Sequence, residues 1–413
     1  MTSQASALPL AIDVTRLVRG AFLGRRPTGI DRVTLAYVRH LGPHARALLG
    51  RSRWVWEIGD GLSRAVLARL GRAAARTGAC DLQGPAGLPP LRRRFVLHTA
   101  HSGLESAAYL AALRARGLLP VFLVHDLIPI SHPAFSRPGI AQRHLQRMQH
   151  AVQAAAGLVC NSEATRQSLA ELCATQGWRL PPTAVAHLGV EDWVRPQAGG
   201  PNDLGKAGAV GTNRSLASAQ ASSADGRRPY FVCVSTLEPR KNHRLLLEVW
   251  RALAARMGER TPELVLVGQR GWMYDELVHA LQHDDVARRH VREVGDCSDE
   301  QLRTWLLGAQ ALLMPSLVEG FGLPVAEALG CGVPVVASRL PVYREFAGEV
   351  PDYLDARDTA GWAACLQAYC EPGSAVRSNQ LARLQGWKPP TWAAHFATVG
   401  ALLQEVAARE GAS

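Results

Sequence analysis

The sequence predicts an α/β protein built from two doubly wound, parallel-sheet domains. Three observations carry this. At 413 residues the chain is longer than one core ordinarily serves, since domains usually run to about 100–200 residues. Short apolar runs of strand character alternate with amphipathic helical patterns, as in parallel sheets covered by helices on both faces. The alternation stops and restarts once, across residues 195–228, where apolar content is low and no period survives.

Before that break, strands are expected at residues 8–14, 95–97, 121–124, 157–160 and 184–188, with helices such as 31–40 and 142–155 between them. After it the order is strand 230–235, helix 244–255, strand 263–267, helix 271–281, strand 291–294, helix 299–309, strand 311–314, helix 325–329 and strand 334–337. This divides the chain into an N-terminal domain (1–194), a flexible linker or insertion (195–228), a C-terminal domain (229–390) and a final helix (391–413) that packs back on the first domain. Two such domains would face each other across a cleft at the carboxyl ends of their strands, where open α/β sheets bind ligands.

Composition narrows the class. Hydrophobic residues make up 47% and charged residues 20%, and no apolar run reaches the roughly 20 residues a membrane-spanning helix needs. The first ten residues lack a basic stretch followed by an apolar core, so no secretory signal is read and a cytoplasmic protein is expected. Eight cysteines, at 80, 160, 173, 233, 297, 331, 365 and 370, include no Cys-x-x-Cys pair, which points to free thiols. The net charge of +11 sits in the N-terminal part: residues 1–120 hold 18 Arg, no Lys and six acids. That bias attracts an anionic membrane surface, a lipid diphosphate or nucleic acid. Arg-for-Lys usage in a high-GC genome explains the missing Lys but not the shortage of acids. No basic stripe interleaved with aromatics is present, so a nucleic-acid partner is not expected.

The segment richest in chemistry is Met314-Pro-Ser-Leu-Val-Glu-Gly-Phe-Gly-Leu-Pro-Val-Ala-Glu-Ala-Leu-Gly-Cys-Gly-Val-Pro-Val-Val-Ala-Ser338. A strand ends near Pro315, a loop of Gly320, Phe321 and Gly322 follows, and Leu323-Pro324 opens a helix whose first position suits a proline. The positive end of such a helix, reached through glycines that let a ligand approach the backbone, suits a diphosphate. Glu319 and Glu327 bracket the loop eight positions apart; Glu319 is expected to project from the strand end and Glu327 to lie about one turn into the helix. A second segment, Val232-Cys-Val-Ser-Thr-Leu-Glu-Pro-Arg-Lys-Asn-His243, runs from a strand into adjacent cations. Arg240 and Lys241 suit the negative charge that develops on a departing diphosphate.

These segments resemble the large retaining glycosyltransferase family called family 4, whose two Rossmann-like domains form the arrangement known as GT-B. The likeness covers nearly the whole chain and is strongest from residue 230 to about 358. Its Glu-x7-Glu signature falls on Glu319 and Glu327, implying contact of Glu319 with donor-sugar hydroxyls and of Glu327 with the ribose. The Glu-Pro-Arg-Lys-Asn run looks like the donor-phosphate loop of family members, many of which use GDP-mannose or a related donor. The Gly-Arg pair common at this strand end is replaced by Ser235-Thr236, a gap Arg240 is placed to fill. Gly268, with Gln269 and Arg270, resembles the family loop beside the base. Gly29, in Thr28-Gly-Ile-Asp-Arg32, resembles the glycine loop over the donor diphosphate, and His125, in Val124-His-Asp-Leu-Ile-Pro129, the histidine beside the transferred sugar. His98 and His101 lie near a strand end on the acceptor side, and two histidines without a third ligand do not make a metal site.

The resemblance implies a hexosyltransferase, favouring mannose from GDP-mannose, of the mannosyltransferase-like kind that assembles surface polysaccharide such as O-antigen, capsule or exopolysaccharide. The nucleotide diphosphate sugar is a substrate and no tightly bound cofactor is implied. No Asp-x-Asp element is present, so catalysis without a metal is expected, with Arg240, Lys241 and the helix at Pro324 in the cation's place. The acceptor expected is a saccharide or a polyprenyl-diphosphate-linked sugar, met at the inner membrane face through the Arg-rich half. A sugar-nucleotide epimerase of the same shape and a non-catalytic sugar-nucleotide-binding protein are the alternatives.

Overall fold

The computed structural model describes residues 9–24, 27–74, 93–101, 103–194, 228–295 and 297–411. The linker expected at 195–228 lies outside them except for Arg228, as does Cys80. The chain divides into two compact units, Met1–Gly189 with Pro390–Ser413, and Val190–Pro389.

Unit 1 holds a seven-stranded sheet: β1 (Leu10–Asp13), β2 (Ala45–Arg51), β3 (Trp54–Glu57), β4 (Arg94–His98), β5 (Leu118–Val124), β6 (Gly157–Cys160) and β7 (Thr183–Val185). Their spatial order is β3-β2-β1-β4-β5-β6-β7. All neighbours are parallel except β3, which pairs antiparallel with β2. The order reverses between β1 and β4, the place where doubly wound sheets open a crevice. The inner strands are apolar because both faces are covered: Val96, Phe122 and Leu158 are buried in one core with Leu110, Leu113 and Met148 of the flanking helices. The last helix, Trp392–Gly411, belongs to this unit. It lies close enough on β6 that a Cβ on Gly157 would stand 3.3 Å from Leu402 and Val406. His395 fastens it: its Nε2 is 2.8 Å from the Tyr37 hydroxyl, and its Nδ1 is 3.1 Å from the carbonyls of Ala186 and His187.

Unit 2 is an all-parallel sheet of β8 (Tyr230–Val234), β9 (Glu263–Val267), β10 (Val291–Val294), β11 (Leu312–Met314), β12 (Val335–Ser338) and β13 (Asp352–Leu354), in the order β10-β9-β8-β11-β12-β13. Here the reversal falls between β8 and β11. Trp250 and Trp362 are fully buried in the core, each with its indole N–H donated to a carbonyl, of Pro262 and Asp355. Such partners let a large amphipathic ring be buried without an orphaned donor.

The two-domain parallel fold is as expected; three strands and several boundaries are not. β2, β3 and β13 were not anticipated: β2 is broken by arginines and a glycine, β3 is an edge strand with both tryptophans exposed, and β13 is an edge strand of three residues. The helix expected at 271–281 begins at Asp275, since Gly271 is held in a loop by donating to the Leu237 carbonyl. The helix expected at 325–329 spans Leu323–Gly330, which puts Pro324 at its second rather than first position. The strand expected at 184–188 spans Thr183–Val185. All seven cysteines among the described residues are free.

Candidate functional site

The reversal point of unit 2 gathers the second and first motifs at the carboxyl ends of β8 and β11. The loop after β8 is pinned to the loop after β9 backbone to backbone: Ser235 N–H donates to the Val267 carbonyl at 3.0 Å, and Leu237 N–H to that of Gln269 at 2.9 Å. Gly268 has φ +153°, and a Cβ there would stand 1.9 Å from the Ser235 carbonyl oxygen, so no other residue fits this approach. A short turn, Pro239–Lys241, then presents the two cations. Asn242 closes it in the left-handed region at φ 58°, and its amide donates to the carbonyls of Pro315 (3.1 Å) and Ala356 (2.9 Å). Both motifs are thereby tied to one another before any side chain of the site is considered.

Glu319 is the hub. Lys241 Nζ lies 2.5 Å from its Oε1, Arg240 Nη1 2.9 Å from its Oε2, and the Ser316 hydroxyl donates to Oε1 at 2.7 Å. Arg240 also reaches Glu238 at 2.6 Å and the Val318 carbonyl at 3.3 Å. The Glu319 side chain is only 6% exposed, which a carboxylate tolerates only when it is paired. Burial alone would raise its pKa, but the charges of Lys241 and Arg240, with the hydrogen bonds of Lys241 and Ser316, outweigh it and hold the carboxyl down at about 2. Glu319 is thus ionised across the neutral range and has no proton to give. Where the sequence suggested a side chain projecting from the strand end, the carboxylate is turned onto the cations of the neighbouring loop.

Glu327 is 1% exposed on the helix Leu323–Gly330. The approach to that helix is tightly packed. Gly320 and Phe321 are buried, and the Phe321 ring stacks on Phe346 at 4.7 Å. Gly322 caps the helix at φ +100°, and a Cβ on it would meet the buried Tyr343 ring at 2.4 Å. Leu323 is the first helical residue. Arg270, beside Gly268 and Gln269, is spoken for: its guanidinium forks onto Glu293 at 2.9 and 3.0 Å and lies 5.1 Å over the Tyr274 ring.

The remaining candidates are in unit 1. Gly29 is an exposed residue that opens the helix Gly29–Leu41, behind a capping box formed by Thr28 and Asp31. Asp31 is fixed in turn by Arg16 at 2.7 Å. His125 follows β5 and is buried, with Nε2 2.7 Å from the Thr99 carbonyl, while its own carbonyl accepts from Asn161 at 2.9 Å. Its backbone N–H donates to His101 Nε2 at 3.2 Å, and the His101 ring lies 5.3 Å from that of His125 and 5.0 Å from that of His144. Burial lowers the pKa of His101, His125 and His144, so the cluster is neutral near pH 7. His98 stands apart from them. It sits in a buried network in which Tyr109 donates to Asp13 at 2.5 Å and the His98 Nδ1 lies 3.3 Å from the same oxygen. Among the described residues no group of three or more His, Cys, Asp or Glu is arranged to hold a metal ion.

The sequence did not reveal Ser316, Glu238 or Asn242 as parts of the site. Each lies inside a motif already singled out, but Ser316 and Glu238 matter because the Glu319 and Arg240 they bond meet across 79 residues of chain, and Asn242 acts from a left-handed backbone on carbonyls 73 and 114 residues away; none of this is written locally.

Structures similar to this chain share its architecture. Anabaena HepE in complex with UDP-glucose aligns over 98% of this chain and 99% of its own, with a TM-score of 0.62 at 16% identity. A trehalose-phosphate synthase from Burkholderia vietnamiensis aligns over 94% and 80%, with a TM-score of 0.55 at 15% identity. The fold is GT-B. In sequence, residues 217–350 of this GT-B chain match the family model described as glycosyl transferases group 1. The Escherichia coli serotype-specific mannosyltransferase WbdA is 29% identical over 294 residues, which is 67% of this chain and 34% of WbdA. The E. coli O-antigen chain mannosyltransferase B is 37% identical over 129 residues, 31% of this chain and 33% of that protein. The chain spans about a third of the length of these relatives.

Proposed function

We propose that this chain is a retaining, family 4-type glycosyltransferase that moves a hexose, with mannose from GDP-mannose favoured, onto a saccharide or polyprenyl-diphosphate-linked acceptor of a bacterial surface polysaccharide. The observation that carries the proposal is the Glu319–Arg240–Lys241 cluster at the reversal point of unit 2, inside the segment matching the glycosyl transferases group 1 model. The mannosyltransferase relatives support the choice of sugar.

In this mechanism Arg240 and Lys241 meet the diphosphate and stabilise the charge it gains as the bond from the sugar's anomeric carbon to the phosphate oxygen breaks. Oriented side chains cost no reorganisation at that moment, and Glu319, Glu238 and Ser316 provide the orientation. Glu319 contacts donor hydroxyls and Glu327 the ribose, with Gly268 beside the base and Gly320, Phe321, Gly322 and Leu323 forming the floor under the diphosphate. For unit 1, the proposal assigns Gly29 to the diphosphate and His125 to the sugar. The acceptor hydroxyl attacks from the face the diphosphate leaves, giving its proton to the departing phosphate oxygen, so that a new glycosidic bond replaces the old one with the same anomeric configuration. A covalent sugar–enzyme route needs a carboxylate nucleophile about 5 Å from a second carboxyl group; Glu319 is committed to two cations instead. Turnover is proposed to need no metal ion. A cytoplasmic, membrane-peripheral location is proposed with the activity; no helix among the described residues is long and apolar enough to cross a membrane.

The test is a thermal-shift panel of GDP-mannose, UDP-glucose, UDP-GlcNAc, UDP-galactose and dTDP-rhamnose. GDP-mannose is expected to raise the Tm most, and Glu327→Ala or Lys241→Ala to abolish the rise. An unchanged rise in both variants places the donor elsewhere. Undiminished turnover in EDTA and an α-configured product from the α-configured donor test metal independence and retention.

A further inference from the structure

Large apolar side chains rarely stand in water without a partner. Among the described residues four of the eight exposed large hydrophobics belong to the start of unit 1: Phe22 at 90%, Leu23 at 50%, and Trp54 and Trp56 each at 52%. They are brought to one edge of the sheet. The helix Thr15–Phe22 leaves the carboxyl end of β1, and the two-residue tip Ser52-Arg53, with Ser52 at φ 53°, joins β2 to β3 at the same edge. The two pieces are fastened where Gly50 N–H donates to the Thr15 hydroxyl at 2.8 Å. Trp54 and Trp56 lie two apart on an edge strand, so both project from the sheet face opposite buried Val55. Their rings are parallel within 12° at 6.0 Å, and the Arg53 guanidinium covers Trp54 at 5.3 Å.

The charge around these side chains has one sign. Residues 13–57 contain nine Arg and three acids, and none of the acids is a free charge: Asp13 is buried, Asp31 is paired with Arg16, and Glu57 is paired with Arg46 and Arg94. Arg19, Arg51 and Arg53 are exposed beside the aromatic and aliphatic tips. Tryptophan with arginine is the composition of a membrane–water interface: the indole sits at headgroup level while the guanidinium reaches lipid phosphates. A protein partner of ordinary composition explains the aromatics but not three exposed arginines whose neighbouring acids are all buried or already paired. An anionic lipid surface explains both.

We infer that the edge formed by Phe22, Leu23, Trp54 and Trp56, with Arg19, Arg51 and Arg53, is a docking surface for anionic phospholipid. It rests on the proposed transfer to a lipid-linked acceptor and gives that proposal a location: the docking edge is also the carboxyl edge of β4 and β5, after which His101 and His125 follow. A lipid-borne sugar held at such a surface arrives at this end of unit 1.

Flotation of the full chain with vesicles of phosphatidylglycerol and phosphatidylcholine, against phosphatidylcholine alone, at about 0.1 M salt tests the surface. Binding to the anionic vesicles alone is expected. The partition is expected to fall about thirtyfold in Arg51→Gln/Arg53→Gln, from two lost headgroup contacts, and at least about tenfold in Trp54→Ala/Trp56→Ala or Phe22→Ser/Leu23→Ser. Unchanged partition in the Trp54→Ala/Trp56→Ala protein overturns the inference. So does a concentration-dependent dimer that the same variants dissociate in the absence of any vesicle binding, since a second copy would then cover the surface. The donor-induced Tm rise is measured in parallel on the same variants. If it persists while vesicle binding is absent, the docking surface has failed and the glycosyltransferase proposal stands; if GDP-mannose gives no rise in the unaltered protein, it is the latter that has failed.

Discussion

At the scale of single residues, Glu319 is bound to cations so closely that its pKa stands at about 2, which rules it out as an acid and fits it to orient Lys241 and Arg240. Lys241→Ala is therefore expected to lower kcat/KM by at least on the order of 10²–10³, the usual cost of losing one group that stabilises developing charge. Transfer rates measured at donor concentrations far below saturation check this. Glu319→Gln leaves Lys241 buried without its anion, and urea unfolding should show a loss of roughly 3 kcal/mol, within the usual cost of breaking a buried pair. His243, which contacts the Ser235 hydroxyl at 3.0 Å, gives a pH-dependent signal. Burial, and then the charge of Lys241, lowers its pKa from 6.5 to about 4. The unfolded chain takes up this proton first, so stability is complete above pH 6.5 and declines as pH falls toward 4, by up to roughly 3 kcal/mol. Urea unfolding at pH 7 and at pH 4.5 should show a smaller acid loss in His243→Gln than in the unaltered chain; equal losses would exclude His243 as a source.

At the scale of elements, the apolar strands of both sheets could be read from the sequence because a strand buried on both faces must be apolar throughout. β2, Ala45-Arg-Ala-Leu-Leu-Gly-Arg51, alternates weakly, and β3 exposes both of its tryptophans; β13 is three residues long and mostly half-buried. None of these carries a burial signal. The same limit applied to the site. Glu319, Arg240 and Lys241 were legible because glycine, proline and charge cluster around them, whereas the Gly268 constraint appears only when the Ser235 carbonyl is seen beside it. The final helix shows how a late segment completes an early sheet. Val399 and Leu403 are fully buried, and His395 links Tyr37 to the end of unit 1's last strand. A chain ending at Pro390 is expected to lose the cooperative unfolding of unit 1 and to bind a hydrophobic dye at neutral pH, read by circular dichroism and dye fluorescence. Retention of a sharp transition would mean that β6 and β7 do not depend on this cover.

At the scale of the whole molecule, each unit has its own sheet, core and reversal point, and the candidate residues are divided unequally between them. Arg240, Lys241, Gly268, Glu319 and Glu327 all belong to unit 2, while unit 1 contributes Gly29 and His125. A nucleoside diphosphate lacking the sugar has the first set as its partners, with Gly29 as its one candidate in unit 1. Because a ligand stabilises the state that binds it by RT ln(1 + [L]/Kd), GDP at 100 times its Kd should add about 2.7 kcal/mol to the opening free energy of the segments that hold it. In hydrogen exchange, GDP is therefore expected to slow the amides of residues 235–242 and 315–330, while those of 121–131 change only when the intact nucleotide sugar is supplied. If GDP alone protects 121–131 and leaves 235–242 unchanged, the donor diphosphate belongs to unit 1, and the division of labour between the two sheets is the reverse of the one drawn from the Glu319 cluster.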